Sequence, residues 1–426
     1  MEKVVSLCKR RGFVFQGSEI YGGMAGSFDY GPLGVTLKNN IKNLWWKMFV
    51  ENRTDVYGVD AALLMNSKVW EASGHVSGFS DPLVECKKCK RRFRADHLED
   101  KKKCPECEGE LGAERQFNMM FKTHVGATED DTSVSYLRPE TAQGIFVNFK
   151  NVLDSLHPKL PFGIAQIGKA FRNEIAPRDF VFRTREFEQM EIEYFFHKKD
   201  WEEQFEYWRK QMHEWLKLIG LAGGNVSELE VAPADRAHYS KRTIDFEYEF
   251  PFGKKELYGL AYRTDFDLSK HSSESDADLS YFEEETKTRF TPHVIEPSFG
   301  VDRTFLAVLC EAYTEDELGG ESRTYLKFPL NIAPVKIAVF PLLKNKPELV
   351  EKARTIFAEL KATFGAVVFD DNGNIGKRYR RQDEIGTPYC VTIDFDTLED
   401  NTVTIRNRNT GEQERVRVSE IAKKII

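Results

Sequence analysis

The chain has 426 residues, 41% of them hydrophobic and 30% charged, which describes an ordinary water-soluble globular protein too long for one core and predicts two or three domains. No apolar run reaches the roughly 18 to 20 residues that span a bilayer, and Lys9, Arg10 and Arg11 break up the apolar residues of Met1 to Phe15, so that segment has no signal-peptide core and the cytoplasm is expected. The net charge of −7 excludes an indiscriminate polyanion binder.

In chain order, Gly31-Pro32-Leu33-Gly34 comes first, followed by Leu37, Ile41, Leu44 and Trp45. Two Cys-x-x-Cys knuckles follow, Cys86/Cys89 and Cys104/Cys107, with 14 residues between them. Four thiolates so spaced predict one closed tetrahedral Zn²⁺ site, structural because no position is left for water. Disulfides, disfavoured in a cytosolic chain, and free thiols are the alternatives. Lys87, Lys88, Lys90, Arg91 and Arg92 make this insertion either a solvated basic loop or a nucleic-acid reader.

A strand is predicted over Phe162 to Phe171, then a loop over Ile175 to Arg185 carrying Arg178, Arg183 and Arg185. The alternation Phe187, Gln189, Glu191, Glu193 predicts the return strand. An antiparallel hairpin with a cationic loop can hold a bent nucleoside triphosphate. Trp201, Phe205, Trp208, Met212 and Ile219 line one side of an amphipathic helix and are read as core. Further on, Glu296-Pro297-Ser298-Phe299-Gly300-Val301-Asp302-Arg303 runs into an apolar helix. Gly300 allows close approach of a flat base, and the helix N-terminus favours anions.

Pro329 and Pro334 bracket a boundary. Beyond it are predicted a strand at Ile337 to Phe340, a helix opened by Pro347, strands at Ala366 to Phe369 and Tyr389 to Ile393, a hairpin turning at Asn409-Thr410-Gly411, and a short helix. This alternation predicts a small α/β domain with a mixed sheet. From Asn331 onward 16 Lys and Arg stand against 14 Asp and Glu, a balance of +2 that leaves −9 for the first 330 residues. RNA contact is therefore expected to be local and in this C-terminal piece.

Together these motifs resemble those of the class II aminoacyl-tRNA synthetases. Phe171-Arg172-Asn173-Glu174 looks like motif 2, Gly300 with Arg303 like motif 3, and the Gly31 region like motif 1. Leu137-Arg138-Pro139-Glu140-Thr141-Ala142 is similar to the signature of the glycyl, prolyl, threonyl and seryl branch. Arg11-Gly12-Phe13 with Glu19-Ile20-Tyr21-Gly22-Gly23, Phe93-Arg94-Ala95-Asp96-His97, and Glu256-Leu257-Tyr258-Gly259 are similar to the glycyl-tRNA synthetases of the homodimeric, eukaryote-like type. Motif 3 usually carries a glycine where this chain has Ser298, a departure that agrees with the glycyl branch. A prolyl or threonyl relative fits the glutamate-rich set and Ser298 less well.

The resemblance implies an α+β catalytic domain built on an antiparallel sheet, residues 1–329, with a zinc-ribbon-like insertion at 84–113. It also implies an anticodon-binding α/β domain at 330–426. The implied activity is glycine–tRNA ligation through glycyl-adenylate, with ATP, Mg²⁺ and structural Zn²⁺, by a cytoplasmic homodimer acting on tRNA(Gly) and on neither membrane nor DNA. Arg172, Glu174 and Arg303 are implied to be catalytic. Arg172 would meet the α-phosphate, Arg303 the γ-phosphate, Arg183 or Arg185 the bent tail, Phe187 the adenine and Glu256 the Mg²⁺. Asn173, Phe182, Leu257 and Gly300 complete the ATP set. For glycine, Glu140, Glu191, Glu296 and Ser298 would surround the ammonium and Arg263 face the carboxylate, with Arg94, Gln189 and Gly300 nearby. Lys377, Arg378, Arg380 and Arg381 around an exposed Tyr379 are expected to meet the anticodon.

Overall fold

The computed structural model describes residues 1–425. Its main sheet has seven strands in the order Val226–Glu230, Arg242–Phe250, Gly253–Thr264, His293–Gly300, Glu186–Phe196, Phe162–Phe171 and Val56–Gly58. All neighbours run antiparallel except the last pair, which is parallel.

The strand Glu186–Phe196 explains why the sheet has one apolar and one chemical face. Side chains alternate across a strand. Met190, Ile192 and Tyr194 therefore point into a core shared with Leu260, Ile295 and Phe299. The helix Trp201–Leu218 covers that face with Phe205, Trp208, Met212 and Trp215, as its spacing predicts. Phe299 is the hub: its ring centroid lies 4.9 Å from that of Tyr258, 5.5 Å from Phe49 and 5.9 Å from Trp45. Removing such a ring costs about 3–5 kcal/mol. On the opposite face, the helix Ala142–Leu156 packs Phe146 and Phe149 on Phe195, which closes one end and leaves the other open.

Trp45 belongs to the helix Pro32–Trp46, opened by a proline whose fixed φ suits a first helical turn. Gly34 is required there, because the Phe13 carbonyl occupies the space of a Cβ. The insertion is rooted in a three-stranded antiparallel sheet of Ser80–Glu85, Arg92–Arg94 and Arg115–Asn118, two of whose strands extend beyond the expected bounds of 84–113.

The C-terminal region has its own five-stranded sheet, ordered Val367–Phe369, Ile337–Pro341, Tyr389–Ile393, Thr402–Asn407, Gln413–Arg417. The first three strands are parallel and the rest antiparallel, a mixed sheet. Leu349, Ala353, Ile356 and Leu360 of the helix Pro347–Phe364 fill its core. Ile332 and Ala333 pack in the first core, whereas Ile337 opens the second. The basic segment Lys377 to Arg381 lies in a helix, Ile375–Ile385, begun by Asn374, whose side chain accepts the Lys377 N–H at 2.9 Å. Among the described residues no helix is long and apolar enough to cross a membrane.

Candidate active site

The chemical face of the main sheet opens into a cavity of about 340 Å³, a size usual for small-molecule sites. Register assembles its floor: Gln189 lies opposite Gly300, Glu191 opposite Ser298, and Ala261 opposite Glu296. Gly259 and Gly300 leave that floor open. A Cβ at Gly259 would meet nothing within 4 Å, and one at Gly300 only the Arg303 side chain at 3.5–3.7 Å.

One end of the cavity is acidic. Glu191 accepts hydrogen bonds from Ser298 Oγ and Gln189 Nε2, each at 2.8 Å, and from Thr141 Oγ1. Glu140 Oε2 lies 3.3 Å from His75 Nε2, and its other oxygen accepts from Gln143 at 3.0 Å. Both oxygens of Glu296 lie 3.0 Å from Arg263 Nη1. The cost of burial is outweighed at Glu140 by His75 and Arg263, which hold it well below the usual carboxylate range. At Glu191, burial and then the Glu140 charge push the carboxyl up. Glu296 is pushed up to about 8 by burial and by Glu191 and Glu140, against the pull of Arg263. Carboxyls outnumber cations here, so the pocket is built for a small cationic group.

Two residues expected around glycine stand elsewhere. Arg263 is 1% exposed and does not line the cavity. Its Nε and Nη2 donate to Asp267 at 2.8 Å, Nη1 serves Glu296, and its guanidinium stacks 3.8 Å from the Tyr239 ring centroid. It therefore faces the protein's carboxylates and holds Glu296 in place. Arg94 is held by Asp81 and Asp96, both at 2.7 Å, away from the cavity wall. Arg138 of the branch signature is likewise structural, donating to the carbonyls of Lys169 and Ala61.

The other end is cationic and aromatic. Arg172 donates to the Pro139 carbonyl at 3.1 Å, with its guanidinium 5.3 Å from the centroid of Phe187 and 5.4 Å from that of Phe79. The Phe187 ring is thus stacked by Arg172. Glu174 Oε2 is buried without a hydrogen-bond partner, 3.9 Å from Arg183 Nη1. Arg303 stacks 4.6 Å from the Phe182 centroid and reaches Glu256, at 3.0 Å to its carbonyl and 3.2 Å to its carboxylate. Leu257 lines the same wall. Asp179 and Phe180 adopt φ of 61° and 58°, a left-handed pair that turns the loop so that Phe182 and Arg183 line the cavity. Asn173 and Arg185 do not line it: the Asn173 N–H donates to the Met119 carbonyl, and Arg185 donates to the carbonyls of Ala25 and Glu174.

Sequence reasoning passed over several lining residues. Asp245 faces Gly259 across the sheet, its carboxyl pushed up to about 7 by burial and by Glu256 and Glu247. Tyr239 lines the acidic end. Asp302 and Glu188 line the cavity and share Lys38 of the Pro32–Trp46 helix, at 2.8 and 2.7 Å. Asp302 lies beside Arg303 in a quoted motif and Glu188 between Phe187 and Gln189, but nothing local in the sequence points to a lysine 264 positions from Asp302.

In the insertion, the Sγ atoms of Cys86, Cys89, Cys104 and Cys107 all lie within 4.8 Å of one another. The pairs Cys86–Cys107 and Cys89–Cys104 stand 3.6 and 3.7 Å apart. Four sulfurs about 2.3 Å from one tetrahedral Zn²⁺ would stand about 3.8 Å apart, so the residues fit that ion. The Cys89 N–H held 3.4 Å from Cys86 Sγ favours its thiolate. The nearby cations Lys87, Arg91 and Arg92 pair with Glu110, Glu106 and Glu85.

The C-terminal basic cluster is mostly spent on the protein itself. Arg378 is 1% exposed and donates to the carbonyls of Pro341, Asp371 and Gly373. Tyr379, expected to be exposed, packs on Phe340 at 5.6 Å and hydrogen-bonds Thr392. Arg381 pairs with Asp370 and Arg380 with Glu321. The helical period turns Arg378 and Tyr379 inward, so Lys377 alone of the five is exposed.

Comparison with known proteins matches this geometry. Residues 121–313 match the tRNA synthetase class II core domain (G, H, P, S and T), and residues 336–426 match the anticodon binding domain. The chain is 51% identical to the glycine–tRNA ligase of Treponema denticola, over 100% of this chain and 96% of that one. It is 52% identical to that of Clostridium acetobutylicum and 51% identical to that of Bacillus thuringiensis, each over 99% of this chain and 97% of the relative. With half its residues shared along its full length with these enzymes, the chain belongs to the glycine–tRNA ligase family of class II synthetases.

Proposed function

We propose that one cavity carries both substrates of adenylate formation, glycine at the acidic end and ATP at the cationic end. The chain joins glycine to the 3′ end of tRNA(Gly) through glycyl-adenylate. The observation that carries the two-ended reading is the register that places Glu191, Ser298 and Glu296 on the same sheet face as Gln189 and Gly300, next to Arg303. The glycine ammonium sits among Glu140, Glu191 and Glu296, with Gln189 and Ser298 orienting Glu191. A neighbouring carboxylate excludes a larger amino acid by clash and desolvation, since an attractive pocket discriminates a methyl group by only about 1–3 kcal/mol.

The glycine carboxylate attacks the α-phosphorus and pyrophosphate leaves. No proton moves in this step, so fixed positive charge is the main requirement. Arg172 meets the α-phosphate and Arg303 the γ-phosphate, with Arg183 on the bent tail. Arg185 braces the loop. The free oxygen of Glu174 fits the adenine amino group as acceptor, and Phe187 offers its ring to the base. Glu256 and Asp245 present oxygen ligands suited to Mg²⁺, which when bound neutralises phosphate charge. Arg263 is a positioning residue behind Glu296.

Zn²⁺ held by Cys86, Cys89, Cys104 and Cys107 is structural. We place the catalytic unit at residues 1–329 and the anticodon-binding unit at 330–426. The exposed Ile20 and Tyr21, 89% and 86% accessible, beside the motif 1 region, support a homodimer. The proposed compartment is the cytoplasm. Glycine-dependent exchange of pyrophosphate into ATP tests the site: Arg172→Ala and Arg303→Ala should each lower it by about a hundredfold or more. Near-normal exchange in either variant removes that arginine from the mechanism.

A further inference from the structure

The helix Val301–Ala312, which carries Arg303, runs directly into a hairpin of Tyr313–Leu318 and Glu321–Leu326. On the second strand of that hairpin, outside the cavity lining, lies Arg323, 1% exposed. Its Nε and Nη2 form a two-pronged pair with Asp316 on the facing strand, at 2.8 and 2.6 Å. Nη1 crosses to the C-terminal domain, donating to the Arg408 carbonyl at 2.6 Å and lying 3.4 Å from Asp383. Asp383, also 1% exposed, is gripped from its own domain by Arg406 at 2.8 and 2.9 Å. Arg408 completes the joint in the opposite direction, donating to the Phe328 carbonyl of the catalytic unit at 3.0 Å.

We propose that Arg323 is a positioning residue for tRNA charging: it fixes the angle between the catalytic unit and the anticodon-binding domain while touching neither ATP nor glycine. Apolar burial is non-directional and lets two packed surfaces slide. A planar guanidinium with donors fixed in a fork does not. A buried ion pair adds little stability over an apolar substitute of similar volume, so direction is what this arrangement supplies. A tRNA that must reach both the anticodon domain and the cavity is charged only if the two stand at the right distance and angle. The inference rests on reading residues 336–426 as the anticodon-binding domain.

The variant Arg323→Met is expected to fold, because Asp383 keeps Arg406 and Asp316 is 32% exposed and can turn to water. Four measurements on the full-length protein decide the matter: glycine-dependent pyrophosphate exchange, binding of an isolated RNA hairpin with the tRNA(Gly) anticodon loop, kcat/KM for charging whole tRNA, and the radius of gyration in solution. Exchange and hairpin affinity should stay within about twofold, while kcat/KM for tRNA falls by about ten- to a hundredfold, as for misplacement at a distance. The radius of gyration should rise, and Arg323→Lys should recover part of the loss. Unchanged charging overturns the inference, and so does a parallel fall in exchange or hairpin affinity. If wild-type protein fails to bind the hairpin, the anticodon reading itself falls and takes this inference with it. If Arg323→Met fails to fold, Asp316→Asn, which keeps the side chain's shape but removes its charge and replaces one of its two acceptors by a donor, is held to the same outcomes.

Discussion

Glu296 and Glu193 show how the acidic pocket stores protons. Glu296 carries a carboxyl pushed up to about 8, so below that pH the free enzyme holds a proton that an ammonium ligand must displace. Glycine binding therefore releases a proton, and the KM for glycine in the exchange reaction should fall as pH rises toward about 8, with the slope lost in Glu296→Gln. For folding the sign is opposite. A carboxyl raised above its ordinary 4.5 stabilises the folded chain below that value, and the benefit is lost as pH rises through about 8. Glu193 lies deeper, 0% exposed, with neither oxygen hydrogen-bonded and its carboxyl pushed well up by burial and by Glu296. That shift favours the neutral acid, and Glu193→Gln should leave both melting temperature and glycine KM nearly unchanged. A large loss of either would assign it a charge.

The elements themselves were largely legible. Alternation located the hairpin of Phe162–Phe171 and Glu186–Phe196, and helical spacing located Trp201–Leu218, because burial of one face is written locally. The partner of a buried arginine is not. Arg263 and Arg94 each have one carboxylate close in sequence, Asp267 and Asp96, but their second partners, Glu296 and Asp81, lie 33 and 13 positions away and meet them only through folding. The inward turn of Tyr379 follows only from its place in the helix Ile375–Ile385, which the run of basic residues does not announce. The four-cysteine insertion, by contrast, has a consequence at the level of elements. Its root holds the Arg172 corner: Phe79 stacks on Arg172, and the Asn173 N–H donates to Met119, just beyond the strand Arg115–Asn118. Elemental analysis should find close to one Zn per chain, the content of a closed four-cysteine site. Cys104→Ser should lose the metal, lower the melting temperature and raise the KM for ATP more than that for glycine. A metal-free protein with unchanged melting and kinetics would sink the zinc assignment.

Across the whole molecule, charge and architecture divide the labour. The negative first 330 residues hold the candidate active site, and the C-terminal +2 is thinly spread once internal pairs are subtracted. Lys377 is then the one residue of the expected cluster free for phosphate. Lys377→Ala should weaken tRNA charging and reduce the salt slope by about 1, whereas Tyr379→Phe should leave the tRNA KM unchanged. Equal salt slopes for wild type and Lys377→Ala would place the RNA contact elsewhere.

The register of the central hairpin also decides where this chain can change length. Ten successive pairs, from Glu186 opposite Phe171 to Phe195 opposite Phe162, keep Gln189, Glu191 and Glu193 on one side and Met190, Ile192 and Tyr194 on the other. Losing one residue inside that ladder would turn Met190 and Ile192 toward the substrates and drive Glu191 and Glu193 among the tryptophans. Activity and solubility would vanish in the same step. Drift in length is therefore confined to the connections between strands, and the loop bearing Phe182 and Arg183 can be lengthened or re-sequenced while the ladder beneath it keeps its count.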